Sequence, residues 1–155
     1  MSLIKNVKKA FSTLDFEITN FVTETESSEY EACNFRIQNF NIHFRKAKIT
    51  PLKEGLFVTF WKRLPIGIIA PWDEDDAFDF LIVSVENEKE SGYFVFPKSV
   101  LMTQKIVATA LNDGKRAFRV YPPWSIAANK QASTSQKWQT AYFSSKISWK
   151  SFSQK

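Results

Sequence analysis

Apolar residues at the start of the chain recur three or four positions apart, which is the spacing of one helix face. They are Leu3, Ile4, Val7, Ala10, Phe11 and Leu14. The pattern predicts an amphipathic helix over 3–14, with Ser2 as its N-cap. We interpret the mixed, acidic stretch 15–26 as a connection with room for a short strand or helical turn. Ser28 and Glu31 have capping-box spacing and predict a short helix over 29–34.

From residue 35 onward the period changes to two, which is the spacing of a half-buried strand. Phe40, Ile42 and Phe44 alternate with polar residues, and after the turn TPLKEG the apolar run LFVTFWKR predicts a hairpin partner over 56–63. The runs FDFLIVSVEN and GYFVFP predict two more strands. We therefore expect a β-meander of about four strands.

The second half of the chain predicts a helix, a strand and a closing helix. A short helix follows Pro97, a strand over 115–121 stops at two prolines, and the segment SQKWQTAYF has helical spacing. The tail 144–155 is rich in serine and lysine, so we expect it to be loosely held unless Trp149 docks. The predicted fold is one α/β (α+β) domain over 1–155, a mixed β-sheet with helices packed on it.

Composition limits the chemistry that the chain can carry. With 155 residues and 44% apolar content, the chain can bury one core. No signal peptide or membrane span is readable, so we predict a cytoplasmic protein without a membrane partner. Cys33 and His43 are the only residues of their kinds, which excludes an internal disulfide and a multi-thiolate metal site. We interpret His43 as an outward-facing polar residue of its strand, although it could formally act as a base.

Charge is distributed very unevenly along the chain, whose formal net charge is +5. Residues 36–63 hold seven bases and one acid, 64–90 hold one base and eight acids, and 91–155 hold ten bases and one acid. If the two basic stretches meet in the fold, they form a face with a strong positive field, which is what binds a phosphate backbone.

The segment KRAFRVYPPW, residues 115–124, combines cations with aromatic rings. Alternation predicts that Phe118 and Val120 face the core while Arg119 and Tyr121 face outward. Arginine binds phosphate through paired hydrogen bonds, and tyrosine and tryptophan stack on exposed bases. The predicted phosphate contacts are Arg45, Lys48, Lys62, Arg63, Lys98, Arg116, Arg119 and Lys137, with Tyr121, Trp124 and Trp138 beside them.

Long ordered strings of the sequence resemble the MepB family of small bacterial proteins. They are FRKAKITPLKEGLFVTFWKR, APWDEDDAFDFLIVSV, GYFVFPKSVL, RAFRVYPPW and QKWQTAYF. The resemblance spans about 29–143, which leaves 1–28 as an N-terminal helix and connection and 144–155 as a basic tail. It implies an architecture similar to the restriction-endonuclease core, with DNA binding as the expected activity.

Nucleases of that architecture hold Mg²⁺ with an Asp on one strand and a (D/E)-x-K triplet on the next. Here Asp79 and Lys98 are candidates for the first acid and the lysine, but Phe96 stands where the triplet needs an acid. A phenyl ring cannot bind a metal, so we expect a nuclease-like scaffold that binds DNA without cutting it and without a cofactor. Two alternatives stay open: a Mg²⁺-dependent nuclease centred on Asp79 and Lys98, and a protein-interaction or small-ligand module whose aromatic residues line a pocket.

Overall fold

The structure, a computed structural model, describes residues 3–11, 14 and 17–153. Its helices and strands are short. In chain order they are α1 (Leu3–Ala10), β1 (Ile18–Thr23), β2 (Cys33–Ile37), β3 (Phe40–Lys46), β4 (Lys48–Ile49), β5 (Leu56–Thr59), β6 (Trp61–Arg63), β7 (Ile69–Pro71), β8 (Phe80–Glu86), β9 (Ser91–Pro97), α2 (Lys98–Thr103), β10 (Ala117–Val120), α3 (Lys130–Gln139) and β11 (Phe143–Ser144). None of the helices within these described ranges is long and apolar enough to cross a membrane.

The larger sheet is mixed and has the strand order β1-β2-β3-β8-β9-β11. Its strands are antiparallel except for β3 and β8, which run parallel with Ile42 opposite Phe80. The predicted meander is therefore wrong at this point, because β5 does not pair with β3. Parallel neighbours need a long crossover, and residues 47–79 supply it by building the smaller sheets.

The first 35 residues agree with the prediction only in part. The acidic stretch 15–26 contains β1, the short strand for which the sequence left room, and β1 pairs with β2 at the edge of the sheet. The helix predicted over 29–34 is wrong: only a turn of 3-10 helix forms at Ser28–Tyr30, and β2 begins at Cys33. Burial of every second residue from Cys33 to Ile37 outweighs the local capping signal. Helix α1 ends at Ala10, and its predicted cap Ser2 lies outside the described residues.

Two hydrophobic cores lie on opposite faces of the larger sheet, and β8 contributes to both. Leu81 and Val83 point into the core beneath the smaller sheet and helices α2 and α3. Phe80 and Ile82 point into the core under α1. This alternation explains why the sequence of β8 is continuously apolar.

The smaller sheet has the order β10-β5-β4, with Phe118 opposite Val58. It joins the two basic stretches of the sequence. The strand predicted over 56–63 is split, because β5 ends at Thr59 and β6 pairs instead with β7. Phe60, at the break, is completely buried and its backbone N–H donates to the carbonyl of Arg116.

The C-terminal tail is held against the second core. Ile147 is completely buried, and Phe152 is 3% exposed and stacks on Phe11 and Phe40. The expectation of a loosely held tail is therefore wrong for 144–153. Two apolar side chains spaced five residues apart anchor it.

Candidate nucleic-acid interface

A groove of about 520 Å³ lies where β10, α3 and the turn 50–55 meet. Three predicted contact residues line it: Arg119, Tyr121 and Trp138. Two exposed cations that the sequence analysis did not select, Lys53 and Lys115, line it as well. We call this feature the basic groove; the rest of its polar lining is Glu54, Gln104, Asn129, Gln131, Ser135 and Gln139.

Gln139 fixes helix α3 to the edge of the smaller sheet. Its side chain is 1% exposed, its Oε1 accepts a hydrogen bond from Tyr121 N at 2.7 Å, and its Nε2 donates to Arg119 O at 2.9 Å. Gln136 donates in the same way to the carbonyls of Pro122 and Ser125. The Gln139 bonds satisfy backbone groups at the free edge of β10, where no further strand pairs, and the Gln136 bonds hold the segment that follows β10. The groove wall therefore has a fixed backbone.

Arg119 connects β10 to the turn 50–55. Its Nη2 donates to Thr50 Oγ1 at 2.7 Å, its Nη1 donates to Glu54 O at 3.3 Å, and its guanidinium carbon lies 5.6 Å from the centre of the Phe57 ring. A guanidinium has five N–H donors, so this arrangement leaves donors for a ligand. Arg119 thus both shapes the basic groove and contributes charge to it.

Aromatic rings in and near the groove have different roles. Tyr121 packs over Gly55, whose φ is +79° and whose missing side chain makes room: a Cβ there would lie 2.7 Å from Tyr121 Cε1. Trp138 lies beside Phe96, with ring centres 5.4 Å apart. Trp124 is outside the groove lining and packs on the core beside Phe143. Of the three predicted rings, two therefore line the groove.

Cations of the C-terminal half carry uncompensated charge. Within the described ranges, no Lys or Arg between 91 and 153 forms a salt bridge. Arg116 precedes β10 and Lys137 lies on α3, and both are exposed but outside the groove lining. Lys105 and Lys130 are also exposed and adjoin lining residues in sequence. The groove and the segments that adjoin it in sequence therefore hold more cations than acids, and these cations are not paired with carboxylates among the described residues.

Cations of the first basic stretch are mostly neutralised. Arg45 pairs with Glu24, Lys46 with Glu31 and Glu86, Lys48 with Glu29, Lys62 with Asp73 and Asp76, and Arg63 with Glu26. The expectation that Arg45 contacts a phosphate is wrong, because its side chain is completely buried. The seven bases of 36–63 leave only Arg36 and Lys53 without a salt bridge in the described part of the chain.

The acidic run DEDDAFD forms a turn held by lysines. Lys62 Nζ lies 2.8 Å from carboxylate oxygens of both Asp73 and Asp76, and this hydrogen bond lowers the pKa of Asp73. Lys98 Nζ donates to the backbone carbonyls of Glu74, at 2.7 Å, and Asp76. The run is therefore a structured turn that is already bonded to the ammonium groups of Lys62 and Lys98.

Asp79 and Lys98 line one depression of about 420 Å³. Asp79 Oδ2 accepts a hydrogen bond from Asn41 N at 2.7 Å. Phe96 is completely buried in the core, so the position two before Lys98 offers no ligand to this depression. Among the residues with described side chains, no group of three His, Cys, Asp or Glu is arranged to hold a metal.

His43 does not point outward as predicted. It is 6% exposed and lies among the rings of Phe60, Trp72 and Phe78, with the Trp72 ring centre 4.3 Å away. Alternation placed it on the correct face of β3, opposite the α1 core. That face is covered by residues from the crossover, which the strand pattern could not show.

Sequence reasoning also missed Lys53, Lys115 and Gln139. Lys53 belongs to the turn TPLKEG and Lys115 begins the segment KRAFRVYPPW, so both were within stretches already singled out. Gln139 gave no signal, because a glutamine on a helix is usually solvated.

Comparison with known proteins agrees with the resemblance seen in the sequence. The MepB-like family model matches residues 24–145. A crystal structure of MepB is 36% identical to this chain, superposes with a TM-score of 0.82, and the match covers 93% of this chain and 97% of that one. No curated protein matches the chain significantly. The chain therefore belongs to the MepB-like family.

Proposed function

We propose that this protein binds DNA through the basic groove and the cations around it, on a scaffold related to the restriction-endonuclease core. The observation that carries the proposal is the contrast in charge pairing. Five of the seven cations of the first basic stretch are bound to carboxylates, whereas Lys53 in the turn 50–55 and the cations on β10 and α3 have no salt bridge in the described residues. Cations without carboxylate partners are the ones that can exchange counterions for phosphates.

Groove geometry supports a role for the side chains as well as their charge. Arg119 retains N–H donors, and Tyr121 and Trp138 place aromatic surface beside Lys53 and Lys115. Arginine and aromatic side chains are the groups that bind phosphate and stack on bases. The proposal keeps the cytoplasmic location expected from the sequence.

Salt dependence of binding tests the proposal. Fluorescence anisotropy with a labelled duplex should show affinity that falls steeply with salt. The triple variant K53Q/K115Q/R116Q should bind more weakly and lose about 0.9 of log–log slope for each phosphate contact removed. A control variant, K8Q/K9Q/K89Q, removes the same charge from exposed lysines outside the groove lining and should retain most of the affinity.

Two results would refute DNA binding by this groove. One is an absence of binding at low salt. The other is an equal loss in K53Q/K115Q/R116Q and in the control, because that outcome assigns binding to net charge alone.

A nuclease is the second candidate, because Asp79 and Lys98 share one depression. Lys98 is already bonded to two carbonyls and Phe96 gives no ligand, so we favour binding without cleavage. Incubation of DNA with Mg²⁺ or Mn²⁺ tests this directly. Cleavage that disappears in the D79N variant would establish a nuclease and rule out binding without cleavage.

A further inference from the structure

A second pocket, of about 380 Å³, lies on the face of β1, β2 and β3 that α1 does not cover. Its lining includes Arg36, Asn41, His43, Trp72 and Phe78. We call it the histidine pocket. It shares no lining residue with the basic groove, so the inference drawn from it is independent of the proposed function.

Hydrogen bonding fixes the orientation of the His43 ring. Its Nδ1 lies 3.3 Å from Glu24 Oε2, and the same carboxylate accepts two hydrogen bonds from Arg45, at 3.1 and 2.9 Å. Burial raises the pKa of Glu24, but the hydrogen bond from His43 and the charge of Arg45 outweigh it and lower this pKa from 4.5 to about 2. The ionised Glu24 carboxylate has no proton to donate. His43 Nδ1 therefore carries the proton and donates this hydrogen bond.

The other ring nitrogen of His43 is then an acceptor. Burial lowers the pKa of His43, which keeps the ring neutral. Among the described residues Nε2 has no hydrogen-bond partner, and it is not one of the fully enclosed unpaired atoms, which are Arg45 Nε and Trp72 Nε1. The Nε2 lone pair is therefore accessible from the pocket that His43 lines.

Arg36 supplies a cation to the same pocket. It donates to Asn41 Oδ1 at 2.8 Å, and no acid lines the pocket within the described residues. Arg36 lies opposite Asn41, and His43 lies opposite Asn34, so the two functional side chains are diagonal neighbours on adjacent strands. The Cα atoms of such neighbours are roughly 7–8 Å apart.

We propose that the histidine pocket binds a nucleoside monophosphate whose base carries a ring N–H. The base packs against Trp72 and Phe78, its N–H donates to His43 Nε2, and its phosphate pairs with Arg36. The pocket volume falls in the range of small-ligand sites, and an acceptor and a cation on adjacent strands suit a ligand with a ring at one end and an anion at the other.

Uridine monophosphate, which has the N3–H donor, is the probe for this proposal. Because the chain has one histidine, a long-range ¹⁵N spectrum of histidine-labelled protein reports His43 alone. Without ligand we expect the Nδ1–H tautomer, and with the nucleotide we expect a saturable shift at Nε2. In calorimetry, 3-methyluridine monophosphate and inorganic phosphate should each bind at least about tenfold more weakly than uridine monophosphate.

Two substitutions distinguish nucleotide binding in the histidine pocket from non-specific attraction of the phosphate to a positively charged protein. R36Q should weaken nucleotide binding at least about tenfold, whereas K89Q, which removes one charge from an exposed lysine outside both pockets, should leave it unchanged. The histidine spectrum of each variant without ligand checks that the pocket is intact. The comparison with the methylated nucleotide uses the unsubstituted protein, so it does not depend on whether a variant folds. The opposite tautomer, no saturable shift at millimolar nucleotide, equal binding of the methylated probe, or equal effects of R36Q and K89Q would overturn the proposal.

Discussion

Replacing Glu24 with glutamine tests the buried ion cluster beneath the histidine pocket. Arg45 is completely enclosed, and Glu24, whose side chain is 19% exposed, is its ion-pair partner. The substitution preserves the size of the side chain but leaves a buried guanidinium without a counter-charge. Removing one partner of a buried pair costs about 3–5 kcal/mol of unfolding free energy.

The lowered pKa of Glu24 gives a second value for the unfolding free energy that this ion pair contributes. The fall from 4.5 to about 2 corresponds to about 3 kcal/mol of stability when the carboxylate is ionised in both the folded and the unfolded protein. Because the folded pKa is depressed, this contribution is complete above the unfolded value. It is lost as the pH falls toward the folded value, and about 1 kcal/mol is left near pH 3.

Urea denaturation followed by tryptophan fluorescence measures the effect. We expect E24Q to lose about 3 kcal/mol near pH 7 and to approach the stability of the parent protein near pH 3. The control is E26Q, since Glu26 pairs with Arg63 and both side chains are nearly half exposed. Such a pair contributes less than about 1 kcal/mol. A difference of less than about 1 kcal/mol between E24Q and E26Q at neutral pH would refute the reasoning.

Three further predictions concern packing and backbone. G55A should lower the unfolding free energy by about 1–3 kcal/mol in thermal denaturation, because its Cβ would collide with a ring and a carbonyl; G67A, where nothing lies within 4 Å, should cost less, and equal losses would contradict this. F152A should cost about 3–5 kcal/mol because the ring is buried, whereas I126A, at a 78% exposed position, should change stability little; a small loss in F152A would mean that the tail is not anchored. Burial raises the pKa of Cys33 to about 12, so Ellman's reagent should label this thiol rapidly only in denaturant, and fast labelling of native protein would show that the site opens.

Residue periodicity predicted which face of a strand each side chain occupies better than it predicted what packs against that face. In β10, alternation assigned Phe118 and Val120 to the core, and they are 8% and 0% exposed. For β3, the same rule put Arg45 on the face away from Phe44, which is also correct. Phe60, from the crossover, covers that face and lies against Arg45. It is too far along the chain for a local sequence pattern to predict this contact.

Charge segmentation identified the two basic stretches, but it showed neither that they meet in the fold nor which of their charges are paired. Strands β5 and β10 do bring the stretches together. The partners of the first stretch lie elsewhere: Glu24 is 21 positions from Arg45, and Glu26 is 37 positions from Arg63. A count of charges along the sequence cannot show which of them are neutralised, because that depends on how the sheet is ordered.

The pairing of β5 with β10 also has a consequence for synthesis. Thr59 pairs with Ala117, 58 positions later, so a ribosome adding about 5–20 residues per second completes β10 roughly 3 to 12 s after β5. During that interval Leu56 and Val58, both buried in the finished protein, lack the strand that protects them from other chains. The segment KRAFRVYPPW ends this exposure as it emerges, and it is the same segment that supplies Arg119 and Tyr121 to the basic groove. Each new chain therefore gains its protection from aggregation and the first wall of its groove in the same step, and α3 completes the groove afterwards.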